Sequence, residues 1–319
     1  MEFPEPVSHE TFMQRALYDP EEGYYTTRAS VGKSGDFSTS ATLSPAFAQA
    51  ISNWAKAHAK RLGLPICCPL IELGPGNGAL AKELSLQLPD WPLHLVEKSE
   101  PLRRIQSEQL EGRNFQHYTD LQSALEETKG FGLIVANEFI DAFPAVKLRW
   151  IENDWREVGV HYENGLPREI LAPLERSIDA DAPAHPKEGE TIYVHPSFHS
   201  WMKGNIPAFK QGALLFIDYG AERPARECRA YAGQQRYEGI DVYDEPGARD
   251  ITCDVNFTDL IRWCQQLGLN IQEVTNQADF LKSQLNDFEA HQKSDEAFRF
   301  LAAASGAGGA FKVLSAETR

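Results

Sequence analysis

Residues 69–84, PLIELGPGNGALAKEL, limit the fold more than any other stretch of the chain. A short apolar run (Leu70, Ile71, Leu73) leads into alternating glycines, Gly74, Gly76 and Gly78, and a helical pattern begins at Ala79. Strand, glycine turn, helix is how an α/β sheet presents a nucleotide-like cofactor. Glycine lets the backbone turn sharply and approach a ligand with no Cβ in the way. The N–H groups that open the next helix face the same crevice. Glu72 puts a carboxylate beside the turn, which would help a cationic or amine-bearing ligand and do nothing for a pyrophosphate. A tight turn with no ligand needs one glycine; three that alternate after an apolar run argue for a cofactor.

The alternation continues on either side. Strands are expected at 69–73, 92–99, 115–118 and 132–136, separated by helical patterns, which means βαβ units and a doubly wound, mostly parallel α/β sheet. Ahead of them come helices over 8–18 and from Ser44, the second with Ser44 as cap and Pro45 in the first position. The Gly-, Ser- and Thr-rich stretch 31–45 between them reads as a loop holding Asp36, Phe37, Thr39 and Ser40. From Val146 the period changes. Residues 146–165 alternate, with turn punctuation at Asn153-Asp154 and Asn164-Gly165, and read as an antiparallel insertion. A buried strand returns at 212–220. Residues 221–256, with four arginines before Gly239 and little periodicity, read as an ordered functional loop. The chain closes with a helix opened by Asn256 or Thr258, a strand over 269–274, helices over 277–286 and 289–304, and a strand over 310–317. The expected organisation is an N-terminal helical segment covering the cofactor site (1–65), a core from 66–145 and 205–319, and an inserted β/loop subdomain (146–204).

Charge narrows the partners. A net charge of −15 over 319 residues argues against a nucleic-acid backbone as ligand, since phosphate binding needs a concentrated positive surface. The 5 cysteines form no CxxC pair and read as reduced thiols, with Cys67-Cys68 buried as small hydrophobes. No run of about 18 apolar residues suggests a membrane span. The opening MEFPEPVSHETF reads as neither a signal peptide nor a basic transit peptide, so a cytoplasmic location is expected.

Ligands of an open α/β sheet bind at the carboxyl ends of its strands, where strand order switches. Those ends carry Glu72, Glu97, Asp120, Asn137 to Asp141, and Asp218. Glu97 falls where an acid takes the ribose hydroxyls of a bound nucleoside; Asp120 with Leu121 could take an adenine amino group and its face. Gly74, Gly76 and Ala79 formally fit G-x-G-x-x-G/A, so an NAD-type oxidoreductase is one reading. S-adenosylmethionine is favoured by Pro75 and the close glycine spacing, by acids suited to a sulfonium and an α-amino group, and by the late strand order. His195 and His199 form an HxxxH spacing with no further ligands nearby in sequence; they read as a helix start with a surface histidine, and no metal is expected.

Five blocks then carry a resemblance: GDFSTSATLSPAFAQAI (35–51), ELGPGNGALAKEL (72–84), ANEFIDAFPAVKL (136–148), LLFIDYG (214–220) and RAYAGQQ with EPGARDITCDVNF (229–257). With ALYDPEEGYY (16–25) and FKVL (311–314), the chain resembles the MidA-type class I methyltransferases along nearly its full length. That group includes a mitochondrial complex I assembly methyltransferase that acts on a protein arginine. One departure is Thr39-Ser40-Ala41-Thr42, where the family usually has T-S-P-E. The resemblance implies S-adenosylmethionine contacts from Gly35, Asp36, Thr39 and Ser40, from 74–78, and from Glu97, Asp120, Leu121, Asn137 and Glu138. It also implies a substrate protein approaching from the side of 139–144 and 221–256.

If the acceptor is a guanidinium, it needs carboxylates to bind it in a fork and to localise the lone pair on the attacking nitrogen. Glu138 and Asp141 are the candidates for that catalytic role; the plainer reading makes Asp141 a helix cap. A cofactor-binding assembly factor with little turnover is the non-enzyme alternative. Apolar residues of the insertion pack internally or against a second copy, which leaves a homodimer open.

Overall fold

The computed structural model describes residues 1–27 and 44–319. In chain order its strands are β1 (Val7–Ser8), β2 (Leu70–Leu73), β3 (Leu93–Val96), β4 (Phe115–Tyr118), β5 (Phe131–Asn137), β6 (Val146–Ile151), β7 (Asp154–Glu163), β8 (Leu166–Pro173), β9 (Thr191–Val194), β10 (Gln211–Ala221), β11 (Cys228–Ala232), β12 (Gln235–Glu238), β13 (Asp250–Cys253), β14 (Val255–Asn256), β15 (Asn270–Asn276) and β16 (Phe311–Glu317). The described residues fall into two compact units. One comprises 1–27, 140–202 and 219–260; the other comprises 44–139, 203–218 and 261–319.

The second unit is the doubly wound α/β sheet, in the order β15-β16-β10-β5-β2-β3-β4. Pairs β3–β4, β2–β3, β2–β5 and β5–β10 are parallel, and β15 runs antiparallel to β16. The apolar runs of β2, β3 and β5 are buried almost throughout, as parallel strands with helices on both faces must be. Their helices start where the sequence supplies caps. Ser44 accepts from Ala46 N with Pro45 next, Ser99 opens Glu100–Gln109, and Asp120 opens Leu121–Glu127. Sheet order runs from β2 outward through β3 to β4 and, on the other side, through β5 to β10. The switch point therefore lies between β2 and β5.

The first unit is antiparallel. β1-β7-β6-β9 form one sheet with β8 on β7, and β12-β11-β13 form another. Both hairpin loops on β7 are two residues long with positive φ at each position, Glu152 (53°) with Asn153 (61°) and Asn164 (52°) with Gly165 (79°). That is the geometry matched to strand twist, and it sets the first turn one residue earlier than the sequence suggests. The helix His9–Tyr18 buries Phe12, Met13, Ala16 and Leu17 in this unit's core with Tyr193, Tyr243 and Ile251.

Five expectations change. The N-terminal segment 1–65 is divided, because His9–Tyr18 packs into the antiparallel unit whereas Pro45–Arg61 packs in the α/β unit, where Trp54 Nε1 donates to Ser315 Oγ at 3.0 Å. Residues 221–256 join the insertion and hold the β11–β13 sheet rather than a loop. Cys228 and Cys253, opposite one another in the β11–β13 register, are joined as a disulfide rather than kept as free thiols. Of the adjacent pair, Cys68 is buried and Cys67 is exposed. The segment 277–304 is also broken into Gln277–Gln284, Phe288–Ser294 and Glu296–Ala302.

Candidate active site

The glycine turn leaves β2 at the switch point. Gly74, Gly76 and Gly78 all have positive φ (61°, 54° and 83°), so side chains there would be strained. A Cβ on Gly74 would lie 2.8 Å from Phe139 Cδ2. The turn is braced from the helix Glu100–Gln109: Gln106 Nε2 donates to Gly76 O (2.7 Å), and Gln106 Oε1 meets His117 Nε2 on β4 (2.8 Å). Gly78 caps the helix Ala79–Gln87 in the left-handed conformation, and Asn77 Oδ1 accepts from Ala79 N (3.0 Å).

Two carboxylates sit beside this turn. Burial pushes the Glu72 carboxyl up to about 8, with the negative charge of Glu97 adding to the shift. Burial likewise lifts Glu97 to about 7, against the Ser99 amide and the Arg103 guanidinium. Ser99 N donates to Glu97 Oε1 at 2.8 Å. Glu72 Oε2 and Asn137 Oδ1 are buried acceptors with no hydrogen-bond partner among the described residues. A buried acceptor left unpaired is costly, so this end of the sheet suits a ligand that brings positive charge and N–H or O–H donors. Asp120 lies after β4, and its carboxylate accepts from Ser123 N (2.8 Å), which holds its pKa below the usual range. Its main work in this structure is to cap a helix, and Leu121 beside it is fully buried.

At the end of β5, Glu138 is half-buried with φ of 51°, a left-handed backbone on a non-glycine residue. Such strain persists only where neighbours enforce it. Here Glu138 N donates to Ile217 O (2.9 Å), Phe139 N donates to Asp218 Oδ2 (3.1 Å), and Asn137 Nδ2 donates to Glu138 Oε1 (3.1 Å). Asp218 is buried at the same edge.

Asp141 belongs to the other unit and has a different setting. It is buried, and burial raises its pKa to about 6 while the Arg229 guanidinium opposes the shift. Cys253 N donates to Asp141 O at 3.1 Å. The same unit holds Arg229 against Asp254 (2.8 Å) and Tyr25 OH against Asp250 (2.7 Å). Asp141 is thus neither a helix cap nor a half-exposed twin of Glu138; it is tied into a buried ionic cluster. His195 and His199 are both buried, so the surface reading of that pair does not hold. Gly35, Asp36, Thr39 and Ser40 lie outside the described residues. Gln106 carried no signal in the sequence, whereas Asp218 stood among the acidic strand ends and Phe139 in the 139–144 stretch, with no sign there of the contacts they make in the structure.

A family model for S-adenosyl-L-methionine-dependent methyltransferases matches residues 50–275, from the helix before β2 into β15. The chain belongs to that family. Among solved structures, the methyltransferase is similar to a Burkholderia thailandensis protein bound to S-adenosyl-homocysteine, with a TM-score of 0.82 and 25% identity over 98% of this chain and 88% of that one. The native crystal form of a Burkholderia thailandensis superfamily protein gives a TM-score of 0.78 at 25% identity, over 98% and 87% of the two chains. Among curated proteins it is 28% identical to the protein named Protein arginine methyltransferase NDUFAF7, mitochondrial, from Xenopus tropicalis, over 87% of this chain and 72% of that one. The Homo sapiens protein of the same name is 27% identical over 87% and 70%. The cofactor is S-adenosylmethionine, and the NAD-type alternative falls. The cytoplasmic expectation is overturned too, because these relatives are named mitochondrial. No helix among the described residues is long and apolar enough to cross a membrane.

Proposed function

We propose that this methyltransferase acts on an arginine side chain of a protein, with Glu138 as the carboxylate that receives the guanidinium. The observation that carries the reading is the setting of Glu138, a half-buried acid in a strained backbone clamped at the switch point directly after Asn137. The names of the Xenopus tropicalis and Homo sapiens relatives point to the same acceptor class.

Bound S-adenosylmethionine supplies an electrophilic methyl group, so the protein's part is orientation and electrostatics. Gly74, Gly76 and Gly78 let the backbone close on the cofactor, Glu72 and Asn137 offer buried acceptors to its amino group, and Glu97 takes the ribose hydroxyls. Asp120 and Leu121 complete the adenosine side of this assignment. Glu138 binds the guanidinium through two N–H groups and draws its positive charge away from the attacking nitrogen.

Glu138→Gln keeps shape and removes charge. Calorimetry with S-adenosyl-homocysteine is expected to show unchanged binding, whereas transfer of a labelled methyl to an arginine-bearing protein falls by about 10²–10³. Undiminished turnover in that variant removes Glu138 from the mechanism. Label found on a residue other than arginine overturns the acceptor class and leaves the methyltransferase activity standing.

A further inference from the structure

In the core of the antiparallel unit, three side chains that bind metals in other proteins converge. His9, Cys228 and Cys253 are all buried, and their ligand atoms lie within 4.8 Å of one another. His9 Nε2 is 3.7 Å from Cys228 Sγ and 3.7 Å from Cys253 Sγ. Tyr243 OH meets the other ring nitrogen, Nδ1, at 3.0 Å, which fixes the imidazole and turns Nε2 toward the sulfurs. A fourth soft donor is at hand, since Met13 Sδ is 4.0 Å from Cys253 Sγ.

We propose that, when the Cys228–Cys253 disulfide is reduced, His9, Cys228, Cys253 and Met13 form a binding site for a thiophilic d¹⁰ metal ion, Zn²⁺ or Cu⁺. The spacing suits the chemistry. With metal–sulfur bonds of about 2.3 Å and metal–nitrogen bonds of about 2.05 Å, tetrahedral coordination sets nitrogen and sulfur about 3.6 Å apart, close to both observed separations. Two thiolates on one ion stand about 3.8 Å apart on the same geometry, so the sulfurs must separate on reduction. Cα atoms 4.0 Å apart in a fixed strand register leave that to side-chain rotation. Thiolate and thioether donors select Zn²⁺ and Cu⁺ over harder ions. A ligating histidine usually donates its far N–H to an outer partner, here Nδ1–H to the Tyr243 hydroxyl oxygen.

The chemistry balances. Exchange with a dithiol reductant supplies two electrons and two protons, giving two thiols on the protein and a cyclic disulfide on the reductant. The metal then replaces both thiol protons, which pass to solvent. With Zn²⁺ the two thiolates are neutralised, so no net charge is stranded in a core that includes Phe12, Ala230 and Ile251. The disulfide ties β11 to β13 alone, whereas the metal also ties in the helix His9–Tyr18 through His9 and Met13.

The test uses the full chain in two forms, oxidised and phosphine-reduced, desalted under argon. Each is titrated with Zn²⁺ against a chromophoric chelator and with Cu⁺ against bicinchoninate, and Co²⁺ is added as a spectroscopic probe. The reduced form is expected to take up a single equivalent of at least one ion and to show sulfur-to-cobalt charge transfer with the strong ligand-field bands of tetrahedral Co²⁺. The oxidised form should do neither. Cys67, Cys68 and Cys264 are thiols in both forms and cancel in the comparison. Tyr243→Phe, which keeps all four donors, should weaken uptake about tenfold, and His9→Gln should weaken it further. Equal uptake by both forms, or none by either, overturns the proposal, and the oxidised wild type serves as the control even if a cysteine variant does not fold.

Discussion

Glu72 and Glu97 hold protons that water would remove at neutral pH, and this has a cost and a use. The folded pKa of Glu72, about 8, lies above its ordinary value of 4.5. Between those two values the folded state carries more protons than the unfolded chain, so stability falls as pH rises through that window and levels off above it. Glu97, at about 7, adds to the slope. A ligand bearing an ammonium or sulfonium charge favours the ionised carboxylates, so its binding must expel protons. S-adenosyl-homocysteine affinity is expected to rise between about pH 6 and pH 8, by up to tenfold per unit for each proton released. Calorimetry in buffers of different ionisation heat counts those protons directly. Glu72→Gln should flatten the pH dependence, raise the melting temperature of the ligand-free protein at pH 8 by a few degrees, and weaken binding. A flat affinity profile in the wild type would detach these acids from the cofactor.

At the level of elements, the strand–turn–helix unit can be separated from its own backbone strain. Gly63 and Gly74 have nearly the same φ (64° and 61°), but a Cβ on Gly63 would meet nothing within 4 Å, whereas on Gly74 it would press on Phe139. Alanine at either position takes on about 1–2 kcal/mol of left-handed strain. Both variants should therefore melt a few degrees lower, while only Gly74→Ala loses affinity for S-adenosyl-homocysteine, by about tenfold or more. Equal affinities for the two variants would mean that the turn does not cradle the ligand. These elements were readable in the sequence because their signals are local. LIEL, LHLV and FGLIVAN are short, mostly apolar runs, and Ser44, Ser99 and Asp120 stand where helices start. The β11–β13 sheet was not readable. Its buried positions include Arg229 and Asp250, polar residues that an ion pair and a hydrogen bond make tolerable, so apolar alternation is broken. The disulfide was hidden for the same reason, because strand register, not spacing, brings Cys228 opposite Cys253. The braces of the candidate site were equally silent: Gln106 reaches Gly76 and Phe139 crowds Gly74 across long sequence separations.

Across the whole molecule, 46 acidic side chains against 31 basic ones give the net charge of −15, and that field acts on any acceptor before contact. A cationic protein bearing the target arginine is drawn in by it, and collisions with nucleic acid are discouraged. Steering of this kind changes encounter, not the chemical step, so its signature is separable from that of Glu138. Raising ionic strength shortens the screening length from about 30 Å at 0.01 M to about 8 Å at 0.15 M. With an arginine-rich acceptor protein, kcat/KM is expected to fall about tenfold over that range, while kcat stays level because Glu138 meets the guanidinium at bonding distance, where salt screens little. An acceptor of the same length with its non-target arginines and lysines replaced by glutamine should start lower and respond weakly to salt. If kcat/KM for the cationic acceptor is independent of salt, the overall charge plays no part in capture, and recognition rests on apolar or hydrogen-bonded contacts. If kcat falls with salt as well, the ion pair at the reacting guanidinium is itself solvent-exposed, and Glu138 is not the partner that holds it.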